Sequence, residues 1–317
     1  GQPPESAYCL VHCTVHGTND YIGPAPHRLH TGHILRPQNT RGWYWQDEIE
    51  AAKRAGLIQD IRYHEWMTYE PCSSPLTFIS QRKLYEDRLR MGKNTISGKA
   101  RKLVYNSAYG KTAQSVGVAK FANPFYASRI TSSCRRYILN AIATHPKGVD
   151  DVLMVATDGV AFRNRHTLLH LDDQRLGAWT EKQHSNLTLF MPGIYWDEES
   201  RKKFREGTSP SLKSRGIPAT NLASRILEID SMFADRNYLY GGRGYPTIKL
   251  PISFSIISPK QALAWNRWRD CGVVETNKIR LIDSNPKMKR VGTVEDNGII
   301  RSYCYANTPH LDSTPYN

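Results

Sequence analysis

Three residues, Lys102, Asn106 and Tyr109, have types and a spacing that could bind a nucleotide. They stand at positions i, i+4 and i+7 of the segment KLVYNSAYGK (102–111), so on a helix they share one face, with Lys99 just before them. A cation suits a triphosphate, and an amide and a phenol suit a flat base or sugar. The alternative is a solvated amphipathic helix that ends at a cap formed by Gly110.

Asp158 is the candidate metal ligand. It lies in the segment VLMVATDGVAF (152–162), where two apolar strands are predicted to meet at a tight turn within a hairpin at 151–163. Rigid strands would present one carboxylate to a divalent cation, and Mg²⁺ is typically held by one or two carboxylates plus substrate phosphates. The alternative is an ordinary Asp-Gly hairpin turn without chemistry.

Together the two segments resemble motifs B and C of family B DNA polymerases. The first matches the pattern Lys-x-x-x-Asn-Ser-x-Tyr-Gly, and the second is similar to the hairpin Tyr-x-Asp-Thr-Asp-Ser, in the same order and with a helix between them. The segments at 176–179, 193–195 and 212–218 resemble the palm-to-thumb region of phage and mobile-element members. The resemblance is close over residues 40–220, and the remainder fits a thumb.

The resemblance implies an α+β fold, a polymerase palm with an antiparallel sheet, a helical fingers insertion and a carboxyl-terminal thumb. The expected domains are part of the palm (1–74), the fingers (75–115), the rest of the palm with the motif C hairpin (116–216) and the thumb (217–317). The implied reaction is template-directed DNA synthesis, in which a primer 3′-hydroxyl attacks a dNTP and two Mg²⁺ ions, or Mn²⁺, stabilise the transferred charge.

The resemblance also assigns roles to individual residues. Asp158 would be a catalytic metal ligand, and Lys102 would neutralise the triphosphate. The other predicted nucleotide contacts are Asn106, Tyr109, Gly110 and either Arg88 or Arg90. The predicted contacts to primer–template DNA are Tyr195, Lys213, Arg215 and Gly216.

Three positions depart from the family pattern. Ala156 stands where the first motif C aspartate is usual, Gly159 replaces its serine, and Gly193 replaces the lysine of a Lys-x-Tyr element. No aspartate opens a motif A pattern, so we expect a partner segment or chain to supply the second metal carboxylate, and with it an exonuclease domain where one exists. We expect the strand at 6–16 to pair beside the Asp158 hairpin and the chain alone to lack activity.

The charge of the chain favours a polyanionic partner. Its 43 Lys and Arg against 29 Asp and Glu give a net charge of +14. Basic residues cluster with aromatic ones at 135–137, 201–205, 265–269 and 287–290, a pattern typical of phosphate binding. The sequence has no membrane-length apolar run, and the six scattered cysteines favour a reducing cytoplasm. On a predicted strand, Cys9 and Cys13 point to one face and His12 and His16 to the other. One zinc ion could not bind all four, so the pattern does not favour a zinc site.

The predicted elements are strands at 6–16, 33–36, 42–45 and 58–66, and helices at 46–55, 75–91, 95–109 and 124–144. This mixture lacks βαβ regularity, so it indicates the α+β class. Two other hypotheses stay open. One is a non-catalytic nucleic-acid-binding subunit with a polymerase-like fold, which Ala156 favours. The other is a reverse transcriptase, although the Tyr-x-Asp-Asp hairpin expected of that class is absent.

Overall fold

The chain folds as two compact units with small antiparallel sheets, as the α+β prediction requires. The first unit is Gly1–Glu181 with Tyr303–Asn317, and the second is Lys182–Ser302. The predicted palm, fingers and thumb boundaries stay predictions. The computed structural model describes residues 1–4, 8–28, 34–70, 79–114, 119–215, 217–235, 247–257, 259–264, 266, 268–272, 274–283, 291–294 and 300–306.

The first unit contains seven strands and four helices in its described part. They are β1 (Cys9–Gly17), β2 (His27–Arg28), β3 (Ile34–Leu35), β4 (Asn39–Trp45), α1 (Gln46–Arg54), β5 (Ile58–Thr68), α2 (Ile79–Met91), α3 (Ile96–Thr112), α4 (Pro124–Thr144), β6 (Val152–Ala156) and β7 (Gly159–Phe162). The start of the helix predicted at 75–91 lies outside the described residues, which resume at Ile79.

Strand β1 is the centre of a three-stranded antiparallel sheet, in the order β4-β1-β5. Its alternation is the predicted one, because Cys9, Val11, Cys13 and Val15 are all fully buried in one core cluster. The expected pairing of this strand with the Asp158 hairpin is wrong. Both edges of β1 are occupied, by β4 and by β5, and β6 and β7 form a separate two-stranded sheet.

Helix α4 has the bounds that the sequence predicts, whereas α3 extends beyond its predicted end. Asn123 caps α4, since its side chain accepts from the amide of Tyr126 at 3.0 Å, and Pro124 opens the first turn. Helix α3 continues beyond Gly110 to Thr112, so a glycine cap at that position is wrong. The last turn is completed instead by the Ala113 amide, which donates to the carbonyl of Tyr109 at 3.2 Å.

A second core cluster of the first unit lies between α1, α4 and the β6–β7 hairpin. Leu139 and Ile142 of α4 are buried against alanines of α1, and hairpin residues such as Val155 and Val160 pack onto the same cluster. The hairpin is therefore attached to the unit through its apolar side chains, which fixes the strands that lead into Asp158.

The second unit has its own core around a β8–β9–β10 sheet. Its elements, together with the strand that leads back to the first unit, are β8 (Thr188–Met191), β9 (Ile194–Trp196), α5 (Glu198–Arg205), β10 (Lys213–Ser214), α6 (Ala219–Ala223), α7 (Ile226–Ala234), β11 (Thr247–Ile256), α8 (Pro259–Ala264), β12 (Val274–Asp283), β13 (Val291–Val294) and β14 (Ile300–Tyr303). Phe190 and Trp196 pack there against Ile226 and Ile229. Among the helices that the structure describes, none has the length and apolar character needed to cross a membrane.

Candidate active site

The predicted nucleotide-binding face of α3 is exposed. Lys102, Asn106 and Tyr109 are all accessible to solvent. None of their side chains has a hydrogen-bond or ion-pair partner among the residues that the structure describes. The helix ISGKARKLVYNSAYGKT carries four basic and no acidic residues. Its positive charge is thus not balanced along its own length.

The side of α3 next to this face packs on α2, since Tyr105 is three residues from Lys102 and four from Tyr109. Tyr105 accepts a hydrogen bond from Arg88 at 3.4 Å and contacts the ring of Tyr85 at 6.4 Å between centroids. At the turn between the helices, a Cβ on Gly98 would lie 2.1 Å from the carbonyl oxygen of Gly92, so only glycine fits there. These contacts fix which face of α3 remains open.

The two arginine candidates on α2 differ in their surroundings. Arg88 is half-buried and bonded to the Tyr105 hydroxyl, whereas Arg90 is exposed and paired with Asp87 one turn back. Such exposed helix pairs are weak. Arg90 is therefore the more available cation of the two.

Gly110 lies within α3 and a Cβ at this position would meet no atom within 4 Å. Glycine inside a helix is about 0.5–1 kcal/mol less stable than alanine, because it loses more backbone freedom on folding. The described fold therefore gives no reason for glycine at this exposed position, which is on the same side of the helix as Asn106.

Asp158 lies at the exposed tip of the β6–β7 hairpin. The register pairs Ala156 with Gly159, which leaves Thr157 and Asp158 as a two-residue loop. Within the described part of the chain, the Asp158 carboxylate has no hydrogen-bond or ion-pair partner. The predicted hairpin is confirmed, with its turn at Thr157 and Asp158. An ordinary Asp-Gly turn would have the same sequence, so the role of Asp158 as a metal ligand stays a prediction.

Cys134 of α4 contacts this turn, and no sequence pattern predicts the contact. Its Sγ lies 3.3 Å from the carbonyl oxygen of Thr157. Burial raises the pKa of the Cys134 thiol, the Asp158 carboxylate raises it further, and Arg135 opposes them. The side chain at this point is therefore a thiol, a weak hydrogen-bond donor, at neutral pH.

The base of the hairpin is held by Asp151, which is buried. Its carboxylate accepts from the backbone amide of Asn164 at 2.7 Å and from the Asn164 side chain at 2.6 Å. The ring of His145 lies 3.3 Å from the same carboxylate and stacks on Phe162 at 4.4 Å. The tip of the hairpin thus contacts Cys134 of α4, and its base contacts His145, just after α4, and Asn164, just after β7.

Helix α4 links the two candidate motifs. Its amino-terminal cap, Asn123, donates its amide to the carbonyl of Thr112 at the end of α3, at 2.9 Å. The hairpin tip contacts Cys134, three turns further along. At 1.5 Å per residue this separation along α4 is about 16 Å. The motifs thus belong to one compact unit and share one supporting helix.

The residues present do not by themselves make a site for two Mg²⁺ ions. Asp158 supplies one carboxylate, and no group of three His, Cys, Asp or Glu side chains able to hold a metal occurs in the described residues. Asp47, which is also in this unit, already binds Arg129 at 2.7 and 2.8 Å and Arg136 at 2.7 Å. Asp158 thus fits one ligand position of a metal site that needs further oxygen ligands.

Two basic clusters that were expected to bind phosphate are paired within the protein. Arg135 bonds the buried carboxylate of Glu48 at 2.5 and 2.8 Å, and Arg136 bonds Asp47. Burial alone would lower the pKa of Arg135, but the Glu48 carboxylate outweighs it and raises that pKa. The acids of α1 neutralise these arginines, which weighs against the expected phosphate contacts at this cluster.

The cluster at 201–205 is paired in a similar way. Arg201 is buried and bonds Asp230 at 2.6 Å and the carbonyl of Asn186 at 2.6 Å. Lys203 pairs with Glu199 at 2.5 Å on the same helix. The clusters at 265–269 and 287–290 lie partly or wholly outside the described residues. The open cations of the first unit therefore include those of α3.

The predicted DNA contacts of the second unit converge on one small sheet. Lys213 of β10 lies directly opposite Tyr195 of β9, so their side chains share a face. Arg215 is two residues beyond Lys213 and donates to the carbonyl of Pro192 at 3.3 Å. Lys213 and Arg215 are exposed, and Tyr195 is half-buried. Gly216 lies outside the described residues.

The structure explains why Gly193 stands where the Lys-x-Tyr element would have its lysine. Gly193 has φ 88°, and a Cβ there would lie 2.6 Å from the Cδ of Arg215. The left-handed backbone favours glycine, and the stem of Arg215 occupies the space where another side chain would begin. The cation next to this turn is therefore Arg215, the residue that follows β10.

Comparison with protein-family models, with curated proteins and with solved structures gives no match for this chain.

Proposed function

We propose that this chain is the carboxyl-terminal portion of a DNA polymerase of the family B type, with palm, fingers and thumb, which transfers a nucleotide from a dNTP to a primer 3′-hydroxyl. The open face of α3 is the observation that carries the proposal. Lys102, Asn106 and Tyr109 have no described partner, although the arginines of α4 are all paired with acids. An unbalanced cation beside an amide and a phenol suits a nucleoside triphosphate.

Gly110 supports the same proposal. Glycine lowers helix stability at this position without relieving any described contact. A ligand that approaches the backbone closely would account for the missing side chain. The helix would then bind the triphosphate through Lys102 and hold the sugar and base through Asn106 and Tyr109.

Asp158 would supply one metal carboxylate, and another segment would supply the second. The β6–β7 sheet has no third strand among the residues that the structure describes. Unpaired strand edges readily accept a further strand. A strand added at this hairpin would place a second carboxylate close to Asp158. The metal, when bound, would stabilise the charge that develops on the transferred phosphate.

Tyr195, Lys213 and Arg215 would bind the primer–template backbone in the second unit. Two exposed cations and an aromatic ring on one face of a sheet are suited to phosphate and sugar contacts. We propose the partners to be primer–template DNA, dNTPs and the segment that supplies the second carboxylate.

The test compares two lysines of the same helix. Lys102→Ala should weaken the binding of dATP in Mg²⁺ buffer about 10- to 100-fold, the loss expected for one charged phosphate contact. Lys111→Ala is the matched control, because Lys111 bonds Gln114 on the far side of α3. Isothermal titration of the 317-residue chain measures both. Equal effects of the two substitutions would overturn the assignment of this face.

A non-catalytic nucleic-acid-binding subunit is the second candidate, and the single carboxylate at the hairpin favours it. Primer extension distinguishes the two. A polymerase portion should extend a primer once a segment with a second carboxylate is added, and Asp158→Asn should abolish that extension while primer–template affinity is kept. A binding subunit should show dATP-independent DNA binding and no extension in either case.

A further inference from the structure

The face of the second unit that carries Tyr195 and Lys213 has a third residue beside it, His184. The His184 ring meets the Tyr195 ring edge-on, with 5.8 Å between their centroids. Lys213 lies directly opposite Tyr195 in the strand register. The lysine ammonium and the tyrosine hydroxyl have no hydrogen-bond or ion-pair partner among the described residues. Both groups are therefore available to a ligand.

Asp197 holds the His184 ring in place. The Nδ1 atom of His184 lies 2.7 Å from the Oδ2 atom of Asp197. The other oxygen, Oδ1, accepts from the amide and the hydroxyl of Ser200, at 3.0 and 2.9 Å, where Asp197 caps helix α5. Burial alone would raise the pKa of Asp197, but the hydrogen bonds from His184 and Ser200 outweigh it and lower that pKa. Asp197 is therefore a carboxylate at neutral pH, and a carboxylate only accepts hydrogen bonds.

This pairing decides which nitrogen of His184 can bind a ligand. Since Nδ1 must donate its hydrogen to Asp197, Nε2 of the neutral ring carries a lone pair and cannot donate. Protonation adds a hydrogen to Nε2 and gives the ring a positive charge. Nε2 has no partner among the residues that the structure describes, and the His184 side chain is 31% exposed. The ring thus offers a charged donor to an anion only in its protonated form.

The other charged groups near His184 leave this face positive. The acids that follow Asp197 are bound by side chains of helix α5 and of the loop before β8: Glu198 by Arg201, Arg205 and Asn186, and Glu199 by Lys203. Lys182 and Lys213 are exposed and have no acidic partner in the described part of the unit. An anion that approaches Tyr195 therefore meets cations that are not already neutralised.

We propose that protonated His184 joins Tyr195 and Lys213 in binding one phosphate of the primer–template backbone, so that this contact forms at mildly acidic pH and is lost at alkaline pH. The inference rests on the proposed role of this face in DNA binding. Lys213 supplies a permanent charge, Tyr195 a hydroxyl donor, and His184 a second charge that depends on pH. His184 is the only histidine in residues 182–302, so the sequence of the second unit contains a single group of this kind.

The test measures the binding of a rhodamine-labelled primer–template duplex to the 317-residue chain by fluorescence anisotropy, at about pH 5.5 and at about pH 8. At the lower pH, His184→Gln should bind about tenfold more weakly than the wild type, the loss expected for one hydrogen bond between charged groups. At the higher pH the two should bind alike. The slope of log K against log salt should be less steep by about 0.9 in the variant, at the lower pH only.

Two further variants separate phosphate binding from support of the fold. His170→Gln is the matched control, because His170 is an exposed histidine of the first unit, and it should bind like the wild type at both pH values. His184→Lys, which carries a permanent charge, should bind more tightly than His184→Gln at both. If His184 only supports the fold, His184→Gln will weaken binding by the same factor at both pH values, and that result would overturn the inference.

The failure of the proposed function has a different signature. If the wild-type chain does not bind the duplex at either pH, or binds it with no dependence on salt, the DNA-binding role of this face fails and the inference fails with it. If binding depends on salt but His184→Gln follows the wild type at both pH values, Tyr195 and Lys213 keep their proposed role and His184 does not bind phosphate.

Discussion

Replacing Glu48 with glutamine should be the most destabilising single-charge change in the first unit. The Glu48 side chain is 1% exposed and accepts two bonds from Arg135, whose side chain is 30% exposed. It also faces Arg36, whose pKa burial lowers to about 10 while the Glu48 carboxylate opposes that shift. Two Arg36 nitrogens are buried without a partner among the described residues, and none of those residues offers Arg36 an acceptor in place of the lost carboxylate.

The expected loss follows from these surroundings. Removing one partner of a buried ion pair costs about 3–5 kcal/mol, and the partial exposure of Arg135 places Glu48→Gln near 3 kcal/mol. A unit of this size melts about 2–4 °C lower for each kcal/mol. We therefore expect the melting temperature to fall by about 6–12 °C.

Differential scanning calorimetry of three variants tests the reasoning. The control is Glu86→Gln, because Glu86 pairs with Arg82 one turn away and both side chains are largely exposed. That pair should contribute less than about 1 kcal/mol. The double variant Glu48→Gln with Arg135→Gln should recover part of the loss, since the two residues are in contact. The reasoning is refuted if Glu48→Gln and Glu86→Gln melt within 2 °C of each other.

Two further substitutions test the hairpin base and the β8–β9 turn. Burial alone would raise the pKa of Asp151, but the hydrogen bonds from Asn164 outweigh it and lower that pKa. The carboxylate therefore stabilises the fold above the unfolded pKa of about 3.9, and this contribution is lost as the pH falls through the lower folded value. Urea unfolding should show Asp151→Asn clearly less stable than the wild type at pH 7 and the difference shrinking below about pH 4; a difference that is constant with pH would contradict this. Gly193→Ala should lower the melting temperature, because the new Cβ meets Arg215 at 2.6 Å in a left-handed backbone; the control Gly207→Ala has a similar φ of 69° but open space, so equal losses would show that Arg215 does not matter.

Local signals explain which elements the sequence predicts well. Helix α4 begins where Asn123 and Pro124 provide a cap and a first turn, and both act within a few residues. The end of α3 depends on the Thr112 carbonyl, which is bonded by an amide from the start of the next helix. No local pattern contains that contact, so the sequence alone predicts a helix that ends near Gly110, two residues too early.

Alternation in β1 predicts which side chains share the core cluster of Cys9, Val11, Cys13 and Val15, but not that Leu10 and His12 on the other face are buried too, nor which strands lie beside β1. The neighbours of β1 are β4 and β5, and their pairing requires the whole first unit to fold. The ion pairs of the basic cluster at 135–137 escape sequence reasoning for a similar reason. Arg135 and Arg136 look free in the sequence because their acidic partners are 87 and 89 residues away.

The residues of the candidate site differ in the same way, since local patterns predict some of them and only the fold brings the others together. Lys102, Asn106, Tyr109 and Asp158 lie where helix and hairpin periodicity predicts them, exposed on one helix face and at one turn. No sequence pattern predicts the contact between Cys134 and Thr157, because the two residues come together only in the folded unit. Tyr195 and Lys213 lie in separate segments of the sequence, and the strand register places them side by side.

The two-stranded sheet β6–β7 has a practical consequence for handling the protein. Strand edges without a neighbour can pair with those of a second copy at high concentration. The outward-facing Leu153 is 41% exposed on β6 and would add apolar contact to such a pair. Concentrated stocks should therefore self-associate, and a charged residue in place of Leu153 should delay precipitation. A peptide strand that occupies the edge would serve the same purpose during crystallisation.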